Sequence, residues 1–120
     1  MQMYLNEGTY GGVQYFLPET IQKFNKRYYA KAKNRRGLGF DKPQMNKKEK
    51  PTCAGCVSDK SFGHSGFTGT YTWADPENET LYVFLSNRTY PTMTNRKLIK
   101  SNIRTKIQRV IKDAVMDQEL

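Results

Sequence analysis

The chain has 120 residues but only two cysteines, one histidine and one tryptophan. No segment reaches the roughly 18 to 20 consecutive apolar residues of a membrane-spanning helix. The opening Met1-Gln2-Met3-Tyr4-Leu5-Asn6 has no basic n-region followed by an apolar core, so it lacks the form of a secretory signal. Hydrophobic residues make up 37% even with tyrosine counted, and the mean hydropathy is -0.81. That leaves room for one domain with one modest core, covered largely by aromatic rings. The two cysteines, Cys53 and Cys56, form Cys-Ala-Gly-Cys after a Pro- and Lys-rich stretch. A redox C-x-x-C opens a helix after a strand, so the context is wrong for that chemistry. With His64 they would supply three zinc ligands but no fourth at a finger-like spacing, and the expectation is incidental loop cysteines, with no metal and no cofactor.

Charge is plentiful. The formal net charge is +9, but it is unevenly spread: residues 1–60 hold 12 basic against 5 acidic side chains, and residues 61–120 hold 8 against 6. The excess lies mainly between Lys23 and Lys50. A solvated helix end and loop account for it; the functional alternative is a small basic module that contacts phosphates or another protein, with Tyr28 and Tyr29 beside Lys26 and Arg27 as stacking surfaces.

Local patterns then lay out the elements. Gly11-Gly12 between β-formers predicts a tight hairpin over 9–16. Pro18 and Glu19 suit a helix start, although Leu17 provides no capping oxygen. Ile21, Phe24 and Tyr28 share a helical face, so this helix is expected to run to about Lys33. Gly37-Leu38-Gly39-Phe40 reads as a short strand, and residues 41–60 as a long polar loop, a length that goes with either function or mobility. From Phe62 a long strand leads to a turn at Asp75-Pro76-Glu77-Asn78. The strand after it, Leu81 to Leu85, is apolar on consecutive residues, which predicts cover on both faces. Ile99, Ile103, Ile107, Val110, Ile111, Ala114 and Val115 mark one face of a C-terminal helix. The expected fold is α+β: an antiparallel sheet with a β-hairpin, a helix in the N-terminal half and a C-terminal helix packed on the sheet.

The stretch Phe62-Gly63-His64-Ser65-Gly66-Phe67-Thr68-Gly69-Thr70 nearly spells a G-x-S-x-G nucleophile elbow, but Phe67 replaces the last glycine. His64 and Ser65, as neighbours on a strand, point to opposite faces, which disfavours a Ser–His pair. Together with Trp73-Ala74-Asp75-Pro76-Glu77, Val83-Phe84-Leu85-Ser86-Asn87-Arg88 and the helix over 103–111, this stretch resembles the C-terminal third of the serine β-lactamase and penicillin-binding-protein family. The similarity is greatest to its class C and esterase-like branch, whose third motif is often H-T-G or H-S-G. Gly8-Thr9-Tyr10-Gly11-Gly12, Leu17-Pro18-Glu19-Thr20 and Arg36-Gly37-Leu38-Gly39-Phe40 resemble the segments that precede that motif. The resemblance implies a partial β-lactamase-like transpeptidase fold over 1–120, from a bacterial serine hydrolase of the periplasm or cell envelope.

The same resemblance implies roles. His64 would take the lysine position of K-T-G and bond a substrate carboxylate or a catalytic tyrosine. The Phe67 N–H would be one of two oxyanion-hole donors. Ser65 would be a polar partner and Gly66 would let the acyl group approach the backbone. The nucleophile motif S-x-x-K is missing: the serines at 58, 61, 65, 86 and 101 are followed three places on by Ser61, His64, Thr68, Thr89 and Arg104. Tyr4-Leu5-Asn6 spells the second motif, Y-x-N, but stands where the family has the end of a helix, and it reads as coincidence. The chain is therefore expected to be a fragment, inactive alone, with an exposed sheet edge that either self-associates or docks onto the missing N-terminal part of the hydrolase.

Overall fold

A computed structural model describes residues 1–44, 46, 53 and 55–116. Its elements are α1 (Gln2–Leu5), β1 (Thr9–Tyr10), β2 (Val13–Gln14), α2 (Pro18–Asn25), β3 (Phe62–Ser65), β4 (Tyr71–Asp75), β5 (Thr80–Phe84), α3 (Lys97–Ser101) and α4 (Ile103–Met116). The α+β class is as the sequence predicts. Strands β3, β4 and β5 form an antiparallel sheet in that order, and β1 and β2 form a separate hairpin. Gly11 and Gly12 turn that hairpin with φ of 59° and 78°, a two-residue turn that L-residues with a Cβ strongly resist.

Register explains the two faces of the sheet. Gly63, Trp73 and Tyr82 lie across from one another, as do Ser65, Tyr71 and Phe84. On this face Tyr71, Trp73 and Tyr82 are buried and packed with Val57, Phe84 and Ile107 of α4. The Tyr71 hydroxyl donates to Gln108 Oε1 at 2.8 Å, which satisfies two polar groups inside the apolar layer. The opposite face carries Phe62 and His64, and the Phe62 ring packs at a tilt against Tyr4 of α1 and Phe40 at centroid distances of 5.8 and 5.3 Å. Tyr4 of the literal Y-x-N is thus a packing residue at the end of a short helix.

Four expectations about elements are corrected. First, α2 ends at Asn25 and not near Lys33. The Leu38 N–H donates to the Phe24 carbonyl at 2.8 Å, so a distant segment satisfies a C-terminal carbonyl and the chain leaves in extended conformation at Lys26. Second, residues 37–40 are a turn, closed by a Gly37 N–H to Phe40 carbonyl bond and an Arg36–Asp41 bridge. Third, the long strand from Phe62 breaks at Gly66–Gly69 into two strands. Gly66 N–H donates to the Thr70 carbonyl and Gly69 N–H to the Gly66 carbonyl, and Gly69 has φ of 96°. Fourth, the C-terminal helix is interrupted at Asn102, whose φ of 52° is left-handed, a state asparagine tolerates better than most residues.

The turn after β4 forms where the sequence places it. Asp75, fully buried, accepts bonds from Glu77 N–H, Asn78 Nδ2, Ser58 N–H and Ser58 Oγ at 2.6 to 3.0 Å. One carboxylate therefore ties the hairpin turn to the loop that enters β3. The expected cover on both faces of β5 is not seen: Tyr82 is buried, while Leu81, Val83 and Leu85 are exposed. Part of the 41–60 loop lies outside the described residues. Of the part within them, Cys53 and Cys56 are buried and joined by a disulfide, with Cα atoms 5.3 Å apart, which corrects their reading as incidental loop cysteines.

Candidate active-site rim

β3 is one of the two edge strands of its sheet, and its two polar side chains part company as strand geometry requires. His64 is paired with Thr72 and shares its face with Phe62; its side chain is 49% exposed. Ser65 is paired with Tyr71 on the other face, and its Oγ is buried with no hydrogen-bond partner. The structure thus separates His64 from Ser65.

The remaining serines are also occupied elsewhere. Ser58 Oγ donates to Asp75, Ser61 Oγ to the Ser58 carbonyl, Ser86 Oγ to the Thr68 carbonyl and Ser101 Oγ to the Leu98 carbonyl. Among the described residues, no serine hydroxyl is hydrogen-bonded to the imidazole. A Ser–His nucleophile pair needs that contact, so these residues do not assemble one.

Gly66 and Phe67 form the start of the turn between β3 and β4. A Cβ on Gly66 would collide with Thr70 Oγ1, so a larger residue there needs that hydroxyl to swing aside. Phe67 sits at the tip with an exposed ring, and Arg88 lies 4.6 Å above that ring. Among the described residues the Phe67 N–H has no hydrogen-bond acceptor. An unspent amide at a turn is the type of donor that stabilises a developing oxyanion.

Two arginines hold this turn from behind. Arg88 donates its backbone N–H to the Thr68 carbonyl at 2.8 Å, and its guanidinium to the Met93 and Asn95 carbonyls at 3.3 Å. Arg104 of α4 reaches the Gly69 and Thr70 carbonyls at 3.4 Å. Burial lowers the pKa of Arg104 and raises the phenol pKa of Tyr82 beneath it. Arg88 was visible in the block Val83 to Arg88, but its link to the turn was not, because that link spans some 20 residues of sequence.

Sequence reading also misses Asp41. It is buried, and its backbone pairs both ways with Gly63: Asp41 N–H to the Gly63 carbonyl at 2.8 Å and Gly63 N–H to the Asp41 carbonyl at 2.9 Å. Its Oδ2 accepts a hydrogen bond from Arg35 Nη2 at 2.9 Å and lies 3.7 Å from His64 Nδ1, while Oδ1 forms an ion pair with Arg36 Nε at 3.1 Å but accepts no hydrogen bond. The available signal was a lone acid between Arg36 and Lys42, directly after Gly37-Leu38-Gly39-Phe40.

Among the described residues there is no group of three His, Cys, Asp or Glu side chains placed to hold a metal ion. No helix among them is long and apolar enough to cross a membrane.

Comparison with known proteins matches residues 11–103 to the family described as Beta-lactamase. Curated relatives from Salmonella paratyphi B, Salmonella newport and Salmonella heidelberg, each named "Putative D-alanyl-D-alanine carboxypeptidase", are 37% identical over 98 residues. That alignment covers 82% of this chain and 22% of each relative, so the chain spans about a fifth of their length.

Proposed function

The chain belongs to the beta-lactamase family, and on that premise we propose that it supplies the third-motif rim of a serine acyl hydrolase whose nucleophile lies on other sequence. His64 bonds a substrate carboxylate or a catalytic tyrosine, and the Phe67 N–H is one oxyanion donor. Gly66 keeps the backbone open, and Ser65 contributes through its main chain, because its hydroxyl faces the buried side of the sheet. The observation that carries the reading is the Phe67 amide, left without an internal acceptor two peptide bonds beyond the H-S-G motif's serine, on the same edge as a half-exposed imidazole. The acyl substrate belongs to the peptide, ester or lactam classes. We place the whole protein in the bacterial cell envelope, as the resemblance to the family implies.

Alone, these 120 residues do not acylate. No serine is followed three places on by lysine, and the serine hydroxyls are buried or turned to other partners. Incubation with a penicillin and with an activated ester, followed by intact-mass measurement, is expected to leave the mass unchanged. A stable adduct on Ser65 overturns the proposal. Joined to a family segment that carries S-x-x-K, the chain is expected to acylate, and Phe67→Pro, which deletes the amide hydrogen, to slow that step by about 100-fold.

The basic-module alternative gains no support from the fold. Arg27 donates to the Pro43 carbonyl, Arg35 to Asp41 and the Lys42 carbonyl, and Lys42 to the Lys60 carbonyl. Three cations of the basic region thus serve internal acceptors, and a fourth, Arg36, is ion-paired with Asp41.

A further inference from the structure

We propose that Asp41 is a positioning residue for His64, holding the imidazole proton on Nδ1 so that Nε2 is the ring atom presented to a substrate. The final clause rests on the reading of His64 as the third-motif residue; the proton assignment does not. The two side chains share one rigid frame, because Asp41 is bonded through both backbone groups to Gly63, the residue before His64. Neither partner can drift along the strand without breaking that bridge.

The carboxylate is itself fixed. Arg35 Nη2 donates to Oδ2 at 2.9 Å and is anchored through Nη1 to the Lys42 carbonyl at 3.1 Å, while Arg36 Nε adds an ion pair to Oδ1 at 3.1 Å without a hydrogen bond. Oδ2 then faces His64 Nδ1 at 3.7 Å. A bare ring nitrogen would point its lone pair at an anionic oxygen, which is repulsive; an N–H there is attracted. The gap exceeds hydrogen-bond length by about half an ångström, within reach of a small ring rotation. With Nδ1 protonated, Nε2 accepts a hydrogen bond in the neutral ring and donates one in the cation. Ser65 is unavailable to compete for the ring, since it lies on the opposite face.

His64 is the only histidine, so its ring nitrogens can be read directly. In a long-range proton–nitrogen spectrum of the 15N-histidine-labelled chain, recorded above the titration range of imidazole, the expected pattern is a protonated Nδ1 and a bare Nε2. A spectrum with the proton on Nε2 overturns the proposal. Asp41→Asn, which keeps the shape and removes the charge, is expected to lower the ratio of Nδ1–H to Nε2–H by about tenfold; an unchanged ratio counts against Asp41. Should Asp41→Asn fail to fold, the native spectrum decides, together with Arg36→Gln at the more exposed arginine, which leaves the ratio at least as high; a fall there overturns the assignment. The tautomer is measured without substrate. Failed acylation therefore removes the hydrolase reading and leaves Asp41 in place, whereas an Nε2–H spectrum does the reverse.

Discussion

Lys42 shows what a single residue's surroundings add to a charge count. In the sequence it is one more cation in the basic stretch; in the fold it is 5% exposed, with Nζ donating to the Lys60 carbonyl at 2.7 Å. Burial, followed by the nearby Arg27 charge, lowers its pKa from 10.5 to about 8. Between those two values the folded chain binds fewer protons at this site than the unfolded chain. Stability therefore rises as pH increases from about 8 toward 10.5. Tyr71 works in the opposite direction: burial raises its phenol pKa, so its contribution falls as pH passes the ordinary value of 10.0. The expected result is a urea midpoint that is higher near the top of the Lys42 window than at its foot, with the increment lost in Lys42→Met. An equal rise in that variant would assign the effect to other groups. No sequence pattern marks this lysine, because its pKa is set by burial and by neighbours from the segment after α2 and from the loop before β3.

Among the elements, the segment from Phe62 to Trp73 is the most instructive. Its β-forming residues and alternating pattern made it legible as strand, and the H-S-G motif was legible within it. The break was signalled by Gly66 and Gly69, three residues apart, yet alternation on both sides masked a turn that reverses the chain. Gly63 has a different task. A Cβ there would strike the Trp73 indole and the Thr72 carbonyl, so the β3–β4 pairing at this register requires glycine. Gly63→Ala is expected to destabilise the fold by about 1–3 kcal/mol, toward the upper end because one obstructing group is backbone. Urea denaturation measures it, and a loss within a few tenths would show that the strand shifts freely. The same local reasoning placed the Gly11-Gly12 hairpin and the Asp75 turn correctly, since their signals lie inside four residues. It overran α2 and merged α3 with α4, where the terminators are the Leu38 amide and a left-handed Asn102. The buried stripe of α4 also falls elsewhere: Gln108 is buried against Tyr71, while Val110 is exposed.

At the scale of the whole molecule, the apolar surface is unevenly covered. The radius of gyration is 15.3 Å, against about 14 Å for a compact domain of this length. Leu81, Val83 and Leu85 are exposed along β5, and Ile103 and Val110 along the C-terminal helix. β5 pairs with β4 and, among the described residues, has no strand on its outer edge. An edge of this kind, with apolar side chains on its open face, is a template for another chain. With this surface uncovered, the chain is expected to elute from size exclusion at an apparent mass that grows with concentration. Val83→Lys, at an exposed position whose backbone pairing survives the change, is expected to shift elution toward the monomer while leaving the urea midpoint nearly unchanged. Covering the face with like charges opposes association because the chain already carries a net +9. A monomer at every concentration would mean that these side chains are too scattered to act as one surface.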